Sequence, residues 1–216
     1  DGVLDIDGGS IESLGPLQIK AASANIASTA EKLASLLSGA AVHIDITDDM
    51  RIDGALIQGA SNDTNIAGVQ INTGGEFRVT SPDIDHLGVA FAAEGALQIN
   101  ANSIVNDNAR LLSNGDIELN AGYLENNVRY PQFDRRGVEK RDKRDGKRLW
   151  YTFFAKRETV ETLSVDFGEL ELGGELAYIS AQGNVRIRAD EIRNIGGEIN
   201  ANGGDIDVAA RSVYTE

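Results

Sequence analysis

"GALQINANSIVNDNARLLSNGDIELNAG" runs from Gly95 to Gly122 and carries one short pattern twice. Gly95 is followed by apolar Leu97 and Ile99, small Ala101 and apolar Ile104. Gly115 is followed at the same offsets by Ile117, Leu119, Ala121 and Leu124. Apolar residues alternate with a period of two, the period of a strand and not of a helix. The pattern starts again at Gly75, Gly183 and Gly204. Its first apolar positions are there Phe77, Val185 and Ile206, and its second are Val79, Ile187 and Val208. Ser81, Ala189 and Ala210 fill the small position, and Ile84, Ile192 and Val213 the last. Asn follows two residues later at Asn106, Asn126 and Asn194. "GPLQIKAASANI", from Gly15, is a looser copy. Four residues before most of these glycines stands another apolar residue: Ile11, Ile71, Phe91, Leu111 or Ile179.

Short strands between Gly and Asn turns cannot each bury a face alone, but stacked equivalents can. A unit of ~20 residues with two or three short strands fits one coil of a parallel β-helix, whose neighbouring coils lie ~4.8 Å apart. The spacing therefore predicts an all-β fold of roughly eight such coils. Leu97 and Ile117 then form an inner apolar ladder. Ala101 and Ala121 take a tight corner, and Gly95 and Gly115 take turns with positive φ. The Asn column forms a ladder of side-chain amides. An antiparallel sandwich also has short strands and Gly turns, but it requires no fixed repeat of this kind.

Two segments interrupt the repeat. In "STAEKLASLLSGA", Ser28 to Ala40, Leu33, Leu36 and Leu37 fall at helical spacing behind Ser and Thr cap candidates. This predicts a short helical excursion over about 28–40. The second break begins after Asn126. It contains "RRGVEKRDKRDGKRLWYTFF", Arg135 to Phe154, with eight Lys or Arg and four aromatic residues in twenty positions. Asp145-Gly146 is a hairpin-turn signal, with Tyr130 and Phe133 on one arm and Trp150 and Phe153 on the other. The expectation is a β-hairpin excursion within about 129–165, its arms between Arg129 and Lys156. The phase of the coils at 40–60 and 166–183 stays open.

The net charge is −14, yet the segment from Arg129 to Glu158 holds eleven of the twenty basic residues and five acidic ones. The rest of the chain is strongly acidic, which argues against nucleic acid as a partner. Cysteine is absent, which excludes disulfides and Cys-type zinc sites. No apolar run is long enough to span a bilayer. The opening at Asp1 and the single Met50 lead to the expectation of a segment of a longer protein.

"DEIRNIGGEINANGGDIDVAARSV", Asp190 to Val213, resembles the repeats of filamentous haemagglutinin and its relatives, as do the opening stretch and "FGELELGG". Those relatives are exoproteins of bacterial two-partner secretion, including adhesins and contact-dependent growth inhibition proteins. The resemblance covers roughly 60–128 and 166–216 well, and 1–60 loosely. It implies a right-handed parallel β-helix, exported by an outer-membrane partner transporter and secreted or held at the bacterial cell surface. It implies the shaft of a surface fibre, with adhesive or toxic activity carried elsewhere. No secretion-signal or toxin domain is recognisable, and the second break is longer and more basic than a plain shaft needs.

Enzymatic β-helices need clustered carboxylates with a Lys or Arg on an exposed face. "HIDITDDMRIDG" offers Asp45, Asp48, Asp49, Asp53 and Arg51, read mainly as solvated surface acids. No EF-hand, nucleophile-elbow or phosphate-loop spacing occurs, and nothing pairs a Ser with His43 or His86. The expectation is no catalytic residue, metal or cofactor, with a carbohydrate-active β-helix enzyme as the alternative. Basic residues interleaved with aromatics give one candidate site for an anionic ligand. Its residues are Arg135, Arg136, Lys140, Arg141, Lys143, Arg144, Lys147, Arg148, Trp150 and Tyr151. Its partner would be a glycan or protein on a host or neighbouring cell. The plainer reading is a soluble loop tip of mixed charge.

Overall fold

A computed structural model describes residues 2–63, 65–82, 85–128, 139–145, 159–165 and 177–216, with backbone alone at 139–145 and 159–165. The chain divides into two units, Asp1–Arg129 with Gly173–Glu216, and Tyr130–Leu172.

The first unit is a stack of coils. β1 (Val3–Asp7), β2 (Ser10–Ser13) and β3 (Leu17–Ala21) make the first coil. β4 (Ser23–Ala27), β5 (Ser35–Ser38) and β6 (Val42–Ile46) make the second, and β7 (Met50–Asp53), β8 (Leu56–Ala60) and β9 (Val69–Thr73) the third. β10 (Glu76–Thr80), β11 (Val89–Glu94) and β12 (Leu97–Asn100) follow. Next come β13 (Ser103–Asp107), β14 (Arg110–Ser113) and β15 (Ile117–Asn127), a long strand that turns a corner and opens the next coil. After β16 (Glu139–Asp145) and β17 (Thr159–Val165) of the other unit, the stack resumes with β18 (Tyr178–Ala181) and β19 (Val185–Ile195). It continues through β20 (Glu198–Ala201), β21 (Ile206–Ala209) and β22 (Ser212–Thr215).

All strand pairings between coils are parallel; an isolated bridge between Asn127 and Gly196 is antiparallel. β1, β4, β7, β10, β13, the second halves of β15 and β19, and β22 form the first face. The seven strands β2, β5, β8, β11, β14, β18 and β20 form the second. β3, β6, β9, β12, the first halves of β15 and β19, and β21 form the third. This is the parallel β-helix the repeat predicts, with seven complete coils among the described residues and β22 opening an eighth.

Inward positions stack in register. Val42, Val69, Leu97, Ile117 and Val185 form one fully buried column on the third face. Ile44, Ile71, Ile99, Leu119 and Ile187 form a second beside it. Burying each such side chain stabilises by roughly 1.5–3 kcal/mol, and every coil supplies the cover for its neighbours. Ala101, Ala121, Ala189 and Ala210 pack against the core at the corners. Asn106, Asn126 and Asn194 form the expected ladder inside the first face: Asn106 Nδ2 donates to Asn126 Oδ1 and Asn126 Nδ2 to Asn194 Oδ1, both at 2.7 Å. Asn106 Nδ2 also reaches the Tyr178 carbonyl, and Asn194 Nδ2 the Gly197 carbonyl.

Several expectations are corrected. The coil length varies: Asn72 and Asn100, neighbours in the stack, are 28 residues apart, whereas Asn100 and Asn120 are 20 apart. Gly75 does not begin a copy equivalent to Gly95. Phe77 stacks on Ile104 of the first face, whereas Leu97 belongs to the third. The spacing from 75 to 95 is a step between faces that happens to equal a coil. Turns tolerate extra residues because only the strands must keep register. Val79 therefore lies under Asn106, and Ile84 lies outside the described residues. Phe91 points outward while Ala90 takes the inward place on Leu111.

The helix expected over 28–40 is absent. Thr29 and Lys32 form an antiparallel bridge, and β5 occupies Ser35–Ser38. Ser28 Oγ accepts the Ala34 N–H at 2.8 Å and donates to the Gly54 carbonyl at 2.6 Å, which pins the turn to the next coil. Leu36 is fully buried over Ile57, while Leu33 is 64% exposed. One inward column wants one leucine, and stacking overrides the local helical pattern. Gly95 has the expected positive φ, 76°. Gly115 does not; a Cβ there would lie 2.3 Å from the Gly95 carbonyl oxygen, so close stacking is what requires glycine.

In the second unit, β16 pairs antiparallel with β17, from Glu139 opposite Val165 to Asp145 opposite Thr159. The partner strand begins at Thr159, beyond the expected arm end at Lys156, and Gly146 of the expected turn lies outside the described residues.

Candidate functional site

Of the ten residues singled out for an anionic ligand, Lys140, Arg141, Lys143 and Arg144 lie on β16, opposite Ser164, Leu163, Glu161 and Val160 of β17. Arg135, Arg136, Lys147, Arg148, Trp150 and Tyr151 lie outside the described residues, as do Tyr130, Phe133 and Phe153.

The acidic stretch of the second and third coils does not converge on a centre. Asp45 stands on the outer third face. It accepts from Asn72 Nδ2 at 2.9 Å, meets His43 Nε2 at 3.0 Å, and pairs with Lys20 at 3.6 Å. The Asn72 hydrogen bond holds its carboxyl below the usual carboxylate range; burial opposes this, and His43 and Lys20 add to it. His43 Nδ1 lies 2.9 Å from Gln70 Oε1, so both ring nitrogens face polar partners and neither faces a hydroxyl nucleophile. Asp49 turns to cap the next coil, its Oδ1 accepting the Glu76 N–H at 2.8 Å. Asp53 sits on the first face and accepts the Thr80 hydroxyl at 2.7 Å. Among the described residues, no group of three or more His, Asp or Glu is placed to hold a metal ion.

The outer third face instead carries two polar columns. One extends the Asp45–Asn72 contact: Asn100 Nδ2 donates to Asn72 Oδ1 at 2.8 Å and Asn120 Nδ2 to Asn100 Oδ1 at 2.9 Å. Beside it, Gln98 Nε2 donates to Glu118 Oε2 at 3.2 Å, and Arg186 Nη1 donates to Glu118 at 2.9 Å and Asp116 at 3.2 Å. Burial pushes the Asp116 carboxyl up, but bonds from the Asn184 backbone and side chain, with Arg186, outweigh it and leave it below the ordinary range. On the first face, burial pushes the Tyr123 phenol up to about 12, and its hydrogen bond to Glu125 adds to this. This outer ladder escaped sequence reading. Its signal was present as an apolar–Asn pair at 71–72, 99–100 and 119–120.

These groups serve one another within the stack, and the chemistry they present outward is hydrogen bonding over a regular polar sheet. No helix among the described residues is long and apolar enough to cross a membrane. No curated protein and no solved structure matches the chain. A family model described as haemagglutinin repeat matches residues 1–121, 83–137 and 171–211.

Proposed function

Because the chain belongs to the haemagglutinin repeat family, we propose that it is a shaft segment of a secreted bacterial surface exoprotein, extending an adhesive or toxic tip from the producing cell. Export through an outer-membrane two-partner-secretion transporter goes with this reading, as does a secondary contact of the basic excursion with an anionic surface glycan or protein. The observation that carries the proposal is the unbroken inward register, in which Leu119 of β15 stacks directly on Ile187 of β19 although 48 more residues separate them than separate Leu119 from Ile99. A stack that takes up such an insertion without losing register is a scaffold whose coils are interchangeable, and length is the property such a scaffold supplies.

Interchangeability gives the test. Ser103 pairs with Tyr123, so deleting Ser103–Gly122 removes one whole coil in register. The shaft reading predicts a folded, cooperatively melting protein, whereas deletion of ten residues within that span abolishes folding. Loss of folding in both deletions counts against exchangeable coils. For the basic excursion, a glycan array on the whole chain and on a variant with Arg135–Arg148 replaced by a short Gly-Ser link separates the two roles. Binding that the variant loses supports an adhesive excursion; equal binding, or none to either chain, removes it.

A further inference from the structure

We propose that a groove on the first face, centred on Arg51, binds a carboxylated sugar residue. The groove has a volume of about 320 Å³ and is lined by Asn25, Arg51, Asp53, Arg78, Thr80 and Pro82. That volume lies at the small end of the roughly 300–1,000 Å³ typical of ligand sites. Arg51 and Arg78 are paired in register on adjacent parallel strands. Like charges directly opposite one another are unfavourable unless each is compensated. Arg78 is compensated: Nε and Nη2 donate to the two Glu76 carboxylate oxygens at 2.8 and 3.2 Å, and Asp107 lies 3.9 Å away. Arg51 is exposed and, among the described residues, makes no hydrogen bond or ion pair.

Among the described residues, the neighbouring acids do not supply its partner. Asp49 caps Glu76, Asp53 accepts from Thr80, and Asp5 accepts from Asn25 at 3.0 Å. A guanidinium with five donors and no acceptor of its own matches a carboxylate in two-point geometry. Each of those bonds engages only part of a side chain, so Asp53 and Asn25 retain oxygen acceptors beside Arg51. These fit hydroxyl groups, not a second anion. A donor fork flanked by acceptors is therefore complementary to a ring bearing one carboxylate and adjacent hydroxyls, as in a uronic acid. A bare carboxylate would leave the acceptors of Asp53 and Asn25 without donors, and a neutral sugar would leave Arg51 without a partner. This site lies in the coil body and stands independently of the basic excursion.

The test is a titration of the isotope-labelled whole chain, followed by amide shifts. The probe is methyl glucuronide, beside methyl glucoside, sodium acetate and a short glutamate peptide at equal ionic strength. Saturable shifts at Asn25, Arg51, Asp53 and Arg78 are expected with the glucuronide alone. Affinity should fall at least tenfold in Arg51→Ala and less in Arg51→Lys. It should not change in Arg193→Ala, whose guanidinium is already held by Glu191 on the same face. Equal binding of acetate, the glucoside or the peptide overturns the proposal, as does absence of saturable shifts or undiminished binding by Arg51→Ala.

Discussion

Two asparagine ladders run along the same stack, and they differ in what their amides do when the ladder is broken. The inner one, Asn106–Asn126–Asn194, has 2.7 Å rungs, and Asn106 and Asn126 are fully buried. The outer one, Asn72–Asn100–Asn120, has rungs of 2.8 and 2.9 Å and reaches water. The bonds are chemically alike. Outside, a lost partner is replaced by solvent; inside, the group is left orphaned at about 1–3 kcal/mol. The comparison locates the stabilising role in burial rather than in the repeat of Asn itself.

The largest effect is expected at the centre of the inner ladder. Asn126→Leu removes the acceptor of Asn106 and the donor to Asn194, and should lower stability by about 2–4 kcal/mol in urea melts. The next contrast lies at the ladder's end. Asn106 Oδ1 is buried with no hydrogen-bond partner among the described residues, and Asn106 stacks on Val79 in the coil below. A hydroxyl at Val79→Thr supplies the missing donor, whereas Val69→Thr buries a hydroxyl in an all-apolar column. Val69→Thr should cost about 1–3 kcal/mol and Val79→Thr under about 0.5 kcal/mol; equal costs in calorimetry would show that the orphaned oxygen has no role. In the outer ladder, Asn100→Ala should cost less than about 1 kcal/mol, and a loss matching Asn126→Leu would erase the distinction.

The smallest effect is a pH dependence confined to the outer ladder, which alone ends on a titratable group. Asp45 has a carboxyl pKa held low in the folded chain, chiefly by Asn72. Its contribution is therefore fully present above the unfolded value near ~3.9 and disappears as pH falls through the lower folded value. The destabilisation by Asn72→Ala should shrink on acidification below pH ~4, while that of Asn126→Leu stays constant. Parallel urea melts at neutral and acid pH read this directly.

What was legible in the sequence follows the same division. The 20-residue coils from Gly95 onward were readable because their inward residues, corner alanines and inner Asn recur at one spacing. The earlier coils were not, because longer turns shift the spacing while leaving the stack in register. There Gly75 imitated a copy to which it does not belong. The leucines at 33, 36 and 37 imitated a helix because a strand of four residues is too short to display its alternation. Arg51 was noticed as one of a run of charges. Only the register that sets it beside a neutralised Arg78 distinguishes it, and register between coils of unequal length cannot be counted along the chain.

The central claim is that one continuous stack unites the described residues up to Val128 with those from Ala177 onward. The Val128 N–H donates to the Ile195 carbonyl at 2.9 Å, and the Tyr178 N–H to the Ala109 carbonyl at 3.0 Å. Native-state hydrogen exchange tests this most directly. The account predicts that amides of Leu124–Asn126 in β15 and Ile192–Asn194 in β19 share one slow, global opening free energy. Protection of β15 with rapid, independent exchange across Tyr178–Asn194 would contradict it.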